Sequence, residues 1–177
     1  MSSEERVLTG QLTFEVLLVE DNFADVHLAR RLLKELTTKI ILTVANDGEQ
    51  ALAILRREDY HPALVILDLK LPRKNGFEVL SDMKSDDRLA TIPVIVLSAS
   101  SEPSDVAQCY KLHANAYVLK PLMISDVKRV WTAIESFWMS LALLPPRCNI
   151  PATQTKQIQP ENSEIVGFQS LRFGNSE

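Results

Sequence analysis

Glycine is scarce in this chain, with five in 177 residues, and none of them builds a Gly-x-Gly-x-x-Gly turn or a Walker Gly-Lys-Ser/Thr loop. A nucleotide-binding domain therefore has little to rest on. Cysteine is scarcer still. Cys109 falls in a helical pattern and Cys148 far from it in a Pro-rich segment, so neither a disulfide framework nor a zinc cluster is indicated, and reduced thiols in a cytoplasmic protein are expected. No dense Lys/Arg block accompanies the net charge of −4, which argues against a nucleic-acid groove of the chain's own. The longest apolar stretch near the C-terminus, Phe137 to Leu144, stops at Pro145-Pro146, far short of the roughly 20 residues a membrane span needs. The first residues, Met-Ser-Ser-Glu-Glu-Arg, carry acids where a secretory signal carries bases. The three histidines, His27, His61 and His113, are scattered and suggest no chemistry.

What is present is a repeated motif of apolar runs that end on polar residues. Ala63-Leu-Val-Ile-Leu67 reads as a strand buried on both faces; it ends on Asp68, and Pro72 and Gly76 bound the loop beyond it. Phe14 to Val19 is a strand ending on Glu20-Asp21, and Asn22 can cap a helix that runs to Leu36. Ile40–Ala45 is a second strand, followed by a helix from Glu49 to Arg57. After the Asp68 strand a helix runs from Gly76 to Lys84. Pro93–Leu97 ends on Ser98, Pro103 suits the first turn of a helix reaching His113, and Asn115–Leu119 ends on Lys120-Pro121. A fifth helix, the longest, runs from Ser125 to Leu144.

Five strands alternating with five helices predict right-handed βαβ units and a parallel sheet with helices on both faces. The fold class expected is α/β, flavodoxin-like and doubly wound, with the five strands in the order 2-1-3-4-5. Residues 1–12 read as an extension, 13–144 as the domain and 145–177 as a disordered tail. Ile165 to Phe173 in that tail is apolar enough to dock on a surface.

In a parallel sheet all strand C-terminal ends share one rim. Here that rim receives Glu20, Asp21, Asp68, Ser98 and Lys120, and its crevice lies between the first and third strands, the two that end in carboxylates. Two carboxylates about 4 Å apart repel by about 4 kcal/mol at an effective dielectric near 20, so three of them call for a cation. Hard oxygen donors with room for water suit Mg²⁺. Lys120 adds a second positive charge and Ser98 a hydroxyl, which together describe a phosphoryl site with Asp68 as nucleophile.

These residues, five matches in order at their own strand ends, resemble the response-regulator receiver domain of two-component signalling over roughly residues 13–144. The resemblance implies that Asp68 accepts a phosphoryl group from a sensor histidine kinase. It implies that Glu20, Asp21 and Asp68 hold Mg²⁺, with the backbone carbonyl of Lys70 completing the protein ligands. It also implies a switch in which Ser98 turns to the phosphoryl group and Tyr117 turns inward. Ile134-Glu-Ser-Phe-Trp138, Asn115-Ala-Tyr117 and the Lys70–Gly76 loop further resemble the stand-alone regulators paired with cyanobacterial and bacterial phytochromes. The resemblance also implies that the residues two beyond the phosphoacceptor and the switch hydroxyl influence how fast the phosphoryl group is hydrolysed. Here they are Lys70 and Ser100, neither an acid nor an amide, so slow self-hydrolysis is expected.

Other readings compete. Glu20-Asp21 alone could cap a helix. A phosphatase of the haloacid-dehalogenase type would want an acid where Lys70 stands. A receiver-shaped interaction module that takes no phosphate would lack Asp68, Lys120 or the acidic pair, and none is missing. The chain is thus expected to be a signalling switch that modifies only itself. The residues after Leu144 are too few and too polar for an output domain, which makes the expected output another protein, either a target or a phosphotransfer partner. Val127, Val130, Ile134, Phe137, Leu141 and Leu144 form a heptad-like stripe on the fifth helix, with Trp131 and Trp138 beside it, and the two tryptophans read either as core or as the extension of an exposed apolar surface. A homodimer through the fifth helix and fifth strand is expected, with Val127, Trp131, Ile134, Phe137 and Trp138 as its surface.

Overall fold

A computed structural model describes residues 13–145. The readings of residues 1–12 as an extension and of 146–177 as a tail, including Cys148 and Ile165–Phe173, lie outside the described residues. Within them the chain alternates β1 (Thr13–Val19), α1 (Phe23–Leu33), β2 (Lys39–Ala45), α2 (Gly48–Leu55), β3 (Leu64–Leu67), α3 (Gly76–Ser85), β4 (Val94–Ser98), α4 (Pro103–Lys111), β5 (Ala116–Leu119) and α5 (Ile124–Ile134). All neighbouring strands pair in parallel in the order β2-β1-β3-β4-β5, which is the architecture expected from the alternation.

Side chains alternate across each strand, so the central strands feed two cores. Leu17, Val19, Val65, Leu67, Val94 and Val96 pack against α2 and α3, while Val16, Leu18, Leu64, Ile66 and Ile95 pack against α1 and α5. Every residue of β3 is buried, which is why its sequence shows a continuous apolar run instead of alternation. Each such Val, Leu or Ile contributes about 1.5–3 kcal/mol relative to exposure.

The helix starts follow the capping residues. Asn22 accepts from the amides of Ala24 and Asp25 at α1, Asn75 and Glu78 form a reciprocal capping box at α3, and Pro103 opens α4. Three of the first four helices end earlier than expected. α2 stops at Leu55, two residues short of Arg57. α1 stops at Leu33, where the amides of Lys34 and Glu35 turn back to the carbonyls of Arg31 and Leu32. α4 stops at Lys111 because His113 is left-handed, with φ 63°, and the amide of Ala114 closes on the carbonyl of Cys109.

The fifth helix is not one α-helix to Leu144. After Ile134 it widens into a π-helical segment, Glu135–Leu141, in which the amide of Ala142 donates to the carbonyl of Phe137, five residues back. The wider winding carries the inward face from Ile134 to Trp138 and Met139, which pack on the core. Phe137 and Leu141 are left exposed. It also turns Glu135 inward, where its carboxylate accepts from the amide of Thr38 (2.6 Å) and the hydroxyl of Thr37 (2.9 Å). Those bonds outweigh burial, which alone would raise the acid, and hold its pKa below the usual value.

The expected dimer surface is corrected accordingly. Trp131 and Ile134 are 3% and 5% exposed and belong to the core against the sheet, because α5 must cover Leu18, Ile66 and Ile95 with its largest side chains. Val127 and Trp138 are half-buried against the same core. Of the five residues only Phe137 faces outward.

Candidate functional site

Each strand that delivers a site residue keeps that residue's backbone in the ladder. The amide of Glu20 donates to the carbonyl of Ala45, that of Asp68 to Val19 and that of Lys120 to Ser98, at 2.8–3.0 Å. The residues after β1, β3 and β5 are therefore fixed as firmly as the strands, and only their side chains are free to meet.

They meet on Lys120. Its ammonium lies 2.6 Å from Glu20 Oε2, 2.6 Å from Asp68 Oδ2 and 3.2 Å from Asp25 Oδ2. Glu20, Asp21 and Asp68 also bring one carboxylate oxygen each within 4.8 Å of one another. Glu20 and Asp68 are buried and Asp21 is exposed, so the cluster has two walls and an open side. Four carboxylates against one ammonium leave a formal charge of −3. Burial raises the pKa of Glu20 above its usual value, against the pull of Lys120. Burial likewise disfavours the charged form of Lys120, but its bonds to Asp68 and Glu20 prevail and its pKa lies above the usual value. The three donors Glu20, Asp21 and Asp68 are hard oxygens with no Cys or His among them, which suits Mg²⁺ or Mn²⁺ and not zinc.

The loop after β3 aims Asp68. Its Oδ1 accepts from the amides of Leu69 (2.6 Å) and Lys70 (3.3 Å), and the amide of Gly76 closes the loop on the carbonyl of Leu69. A Cβ on Gly76 would stand 2.2 Å from the carbonyl oxygen of Asp68 and 2.7 Å from Leu69 Cα. Only glycine lets α3 begin this close to the backbone of Asp68 and Leu69.

Ser98 and Tyr117 converge on one residue. Ser98 is fully buried and its Oγ accepts from the amide of Ser100 (3.3 Å), while the Tyr117 hydroxyl donates to the Ser100 carbonyl (2.8 Å). The Ser100 hydroxyl in turn donates to Asp105 on α4 (2.5 Å). Tyr117 thus already lies against the core, bonded to the β4–α4 loop, next to the strand that ends in Ser98.

Sequence reasoning missed Asp25. It sits one helical turn after Asp21, in the first turn of α1, where an acid is expected for helix reasons alone. The Lys120 contact across 95 residues has no local signal.

Comparison with known proteins gives a consistent picture. A family profile described as "Response regulator receiver domain" matches residues 16–131. The response regulator Rcp1 of Synechocystis is 39% identical over 135 residues, covering 73% of this chain and 92% of Rcp1. Among solved structures, the phosphorylated cyanobacterial phytochrome response regulator RcpA superposes with a TM-score of 0.73 at 39% identity, over 76% of this chain and all of that one. The Mn²⁺-bound form of Rcp1 superposes with a TM-score of 0.71 at 38% identity, over 75% of this chain and 99% of that one.

Proposed function

The chain belongs to the response-regulator receiver family, and from that premise we propose that Asp68 is the phosphoacceptor of a two-component relay. The observation that carries this reading is the Lys120 ammonium bridging Asp68 and Glu20 at 2.6 Å each, with Asp21 beside them. An oxygen of Asp68 attacks the phosphorus of a donor phosphohistidine; the O–P bond forms as the P–N bond breaks, and the imidazole leaves. Glu20, Asp21, Asp68 and the Lys70 carbonyl would hold Mg²⁺, which when bound would offset the carboxylate charge and polarise the phosphoryl oxygens. Lys120 gives up Asp68 for a phosphoryl oxygen, and Ser98 turns from the Ser100 amide to donate to another. That exchange alters the loop on which Tyr117 rests and passes the change to α4 and β5.

Fluorine NMR with Mg²⁺ and beryllofluoride, a phosphoryl mimic, tests the site. Bound signals are expected for the parent and none for Asp68→Asn. Their absence from the folded parent would favour a receiver-shaped interaction module instead.

The donor we propose is a histidine kinase of the phytochrome type. This rests on the similarity to Rcp1 and RcpA over nearly their whole lengths. The setting is the cytoplasm, and the output is a protein target or phosphotransfer partner. Self-hydrolysis is slow, since Lys70 and Ser100 offer no acid or amide to place water; a loss of the phosphorylated mass within seconds would count against it. Phe137, Leu141 and Leu119 are all more than half exposed and form the apolar part of a homodimer face on α5 and β5. Light scattering at tens of micromolar is expected to give twice the chain mass, and a monomer with and without phosphorylation would defeat this assembly.

A further inference from the structure

Arg73 holds an uncommon backbone conformation in the loop that carries the Lys70 carbonyl. Its φ is 64°, and the amide of Lys74 donates across it to the carbonyl of Pro72 at 2.7 Å. That is a three-residue turn with a positive φ at its centre, a rare and strained form for a residue with a Cβ. The turn is pinned from one side. The guanidinium of Arg73 pairs with Oδ2 of Asp47, a carboxylate with no solvent exposure. The other oxygen of Asp47 accepts from the amide of Gln50 at 2.8 Å and so caps α2.

The same wall is closed by backbone. A Cβ on Gly48 would stand 2.2 Å from the carbonyl oxygen of Lys74, so the start of α2 and the β3–α3 loop are in direct contact. On the loop's other flank, Gly76 presses on the carbonyl of Asp68. The segment from Lys70 to Asn75 is thus wedged between the α2 N-terminus and the phosphoacceptor.

We infer that the Asp47–Arg73 ion pair is a positioning element of the metal site: it holds the β3–α3 loop so that the Lys70 carbonyl is presented beside Asp68. This inference rests on the proposed metal ligation. A pair that served stability alone could sit anywhere on the surface of α2; this one spans from a fully buried cap to the strained residue of the loop that supplies a ligand. Neither residue touches the metal ligands, so the effect passes through the loop backbone.

Two substitutions separate positioning from stability. Asp47→Asn keeps an oxygen to cap α2 and removes the charge. Arg73→Gly removes the guanidinium and leaves the buried Asp47 carboxylate unpaired, a cost that relief of the positive φ offsets only in part. Binding is read by Mn²⁺ paramagnetic resonance and by Mg²⁺ calorimetry on the full chain, beside thermal unfolding. The expected result is metal affinity weakened about tenfold in both variants, near the lower end of what outer-shell partners contribute. Arg73→Gly should unfold at a lower temperature than the parent, yet its metal affinity, read well below that midpoint where the chain is folded, should still be weakened, and Arg73→Lys should bind more tightly than Arg73→Gly. Parent-like affinity in both variants would overturn the inference while leaving the metal site standing. A parent that binds no metal would overturn both. If Asp47→Asn does not fold, the Arg73 pair of variants decides.

Discussion

Replacing Lys120 by alanine is expected to lower folding stability in metal-free buffer by about 2–4 kcal/mol and to slow phosphorylation by about a hundredfold. The ammonium is the cation that touches Glu20, Asp25 and Asp68 together, and its side chain is only 18% exposed. Removing one partner of a buried ionic cluster leaves the others uncompensated, and that loss is modestly discounted for the remaining solvent access.

The loss has a definite pH dependence. Glu20 has a folded pKa raised above 4.5, so in the interval between 4.5 and that raised value the folded state binds more protons than the unfolded one. Stability therefore falls as pH rises through that window. Without Lys120 its hydrogen bond and its charge no longer lower the Glu20 pKa, and only the bond from the Asn22 amide still does, so the window extends upward and the deficit is larger at pH 7 than at pH 5. Urea unfolding at the two pH values measures it. Saturating Mg²⁺ is expected to restore part of the stability, because it neutralises the same carboxylates.

Trp131→Ala is the second large effect, with an expected loss of about 3–5 kcal/mol. The indole is 3% exposed and, with Leu18, Leu28 and Val127, walls a cavity of about 60 Å³ whose rim carries Glu20 and Lys120. Truncation enlarges a void that is already present and removes the cover over Leu18. A tryptophan serving only a dimer surface would give a concentration-dependent mass and an unchanged unfolding midpoint, so denaturation at two protein concentrations distinguishes the two roles.

The strand-end residues were legible because each apolar run breaks on the first polar residue the rim can tolerate. Asp68, Glu20 and Lys120 announce themselves by interrupting runs that β-propensity and burial would otherwise continue. What was not legible depends on geometry between distant residues or on backbone choices that the side chain does not signal. Asp25 looks like an ordinary first-turn acid of a helix. Glu135 occupies what reads as a polar position beside an apolar stripe, and nothing at that position announces that the helix will widen there and move Phe137 and Leu141 out to solvent. Arg73 takes a left-handed conformation that a sequence reader would assign to Gly or Asn. The tryptophans were ambiguous for a simpler reason: a heptad-like stripe specifies one face of a helix but not how far around it the core extends.

The claim on which the rest depends is that Asp68 becomes phosphorylated. Incubation with Mg²⁺ and acetyl phosphate, followed by intact mass and peptide mapping, tests it directly. The expected result is a gain of one phosphoryl group, located at Asp68 and absent from Asp68→Asn and from samples with the metal chelated. An unchanged mass in a folded parent shown to bind Mg²⁺, or a phosphoryl group that persists in Asp68→Asn, would contradict it.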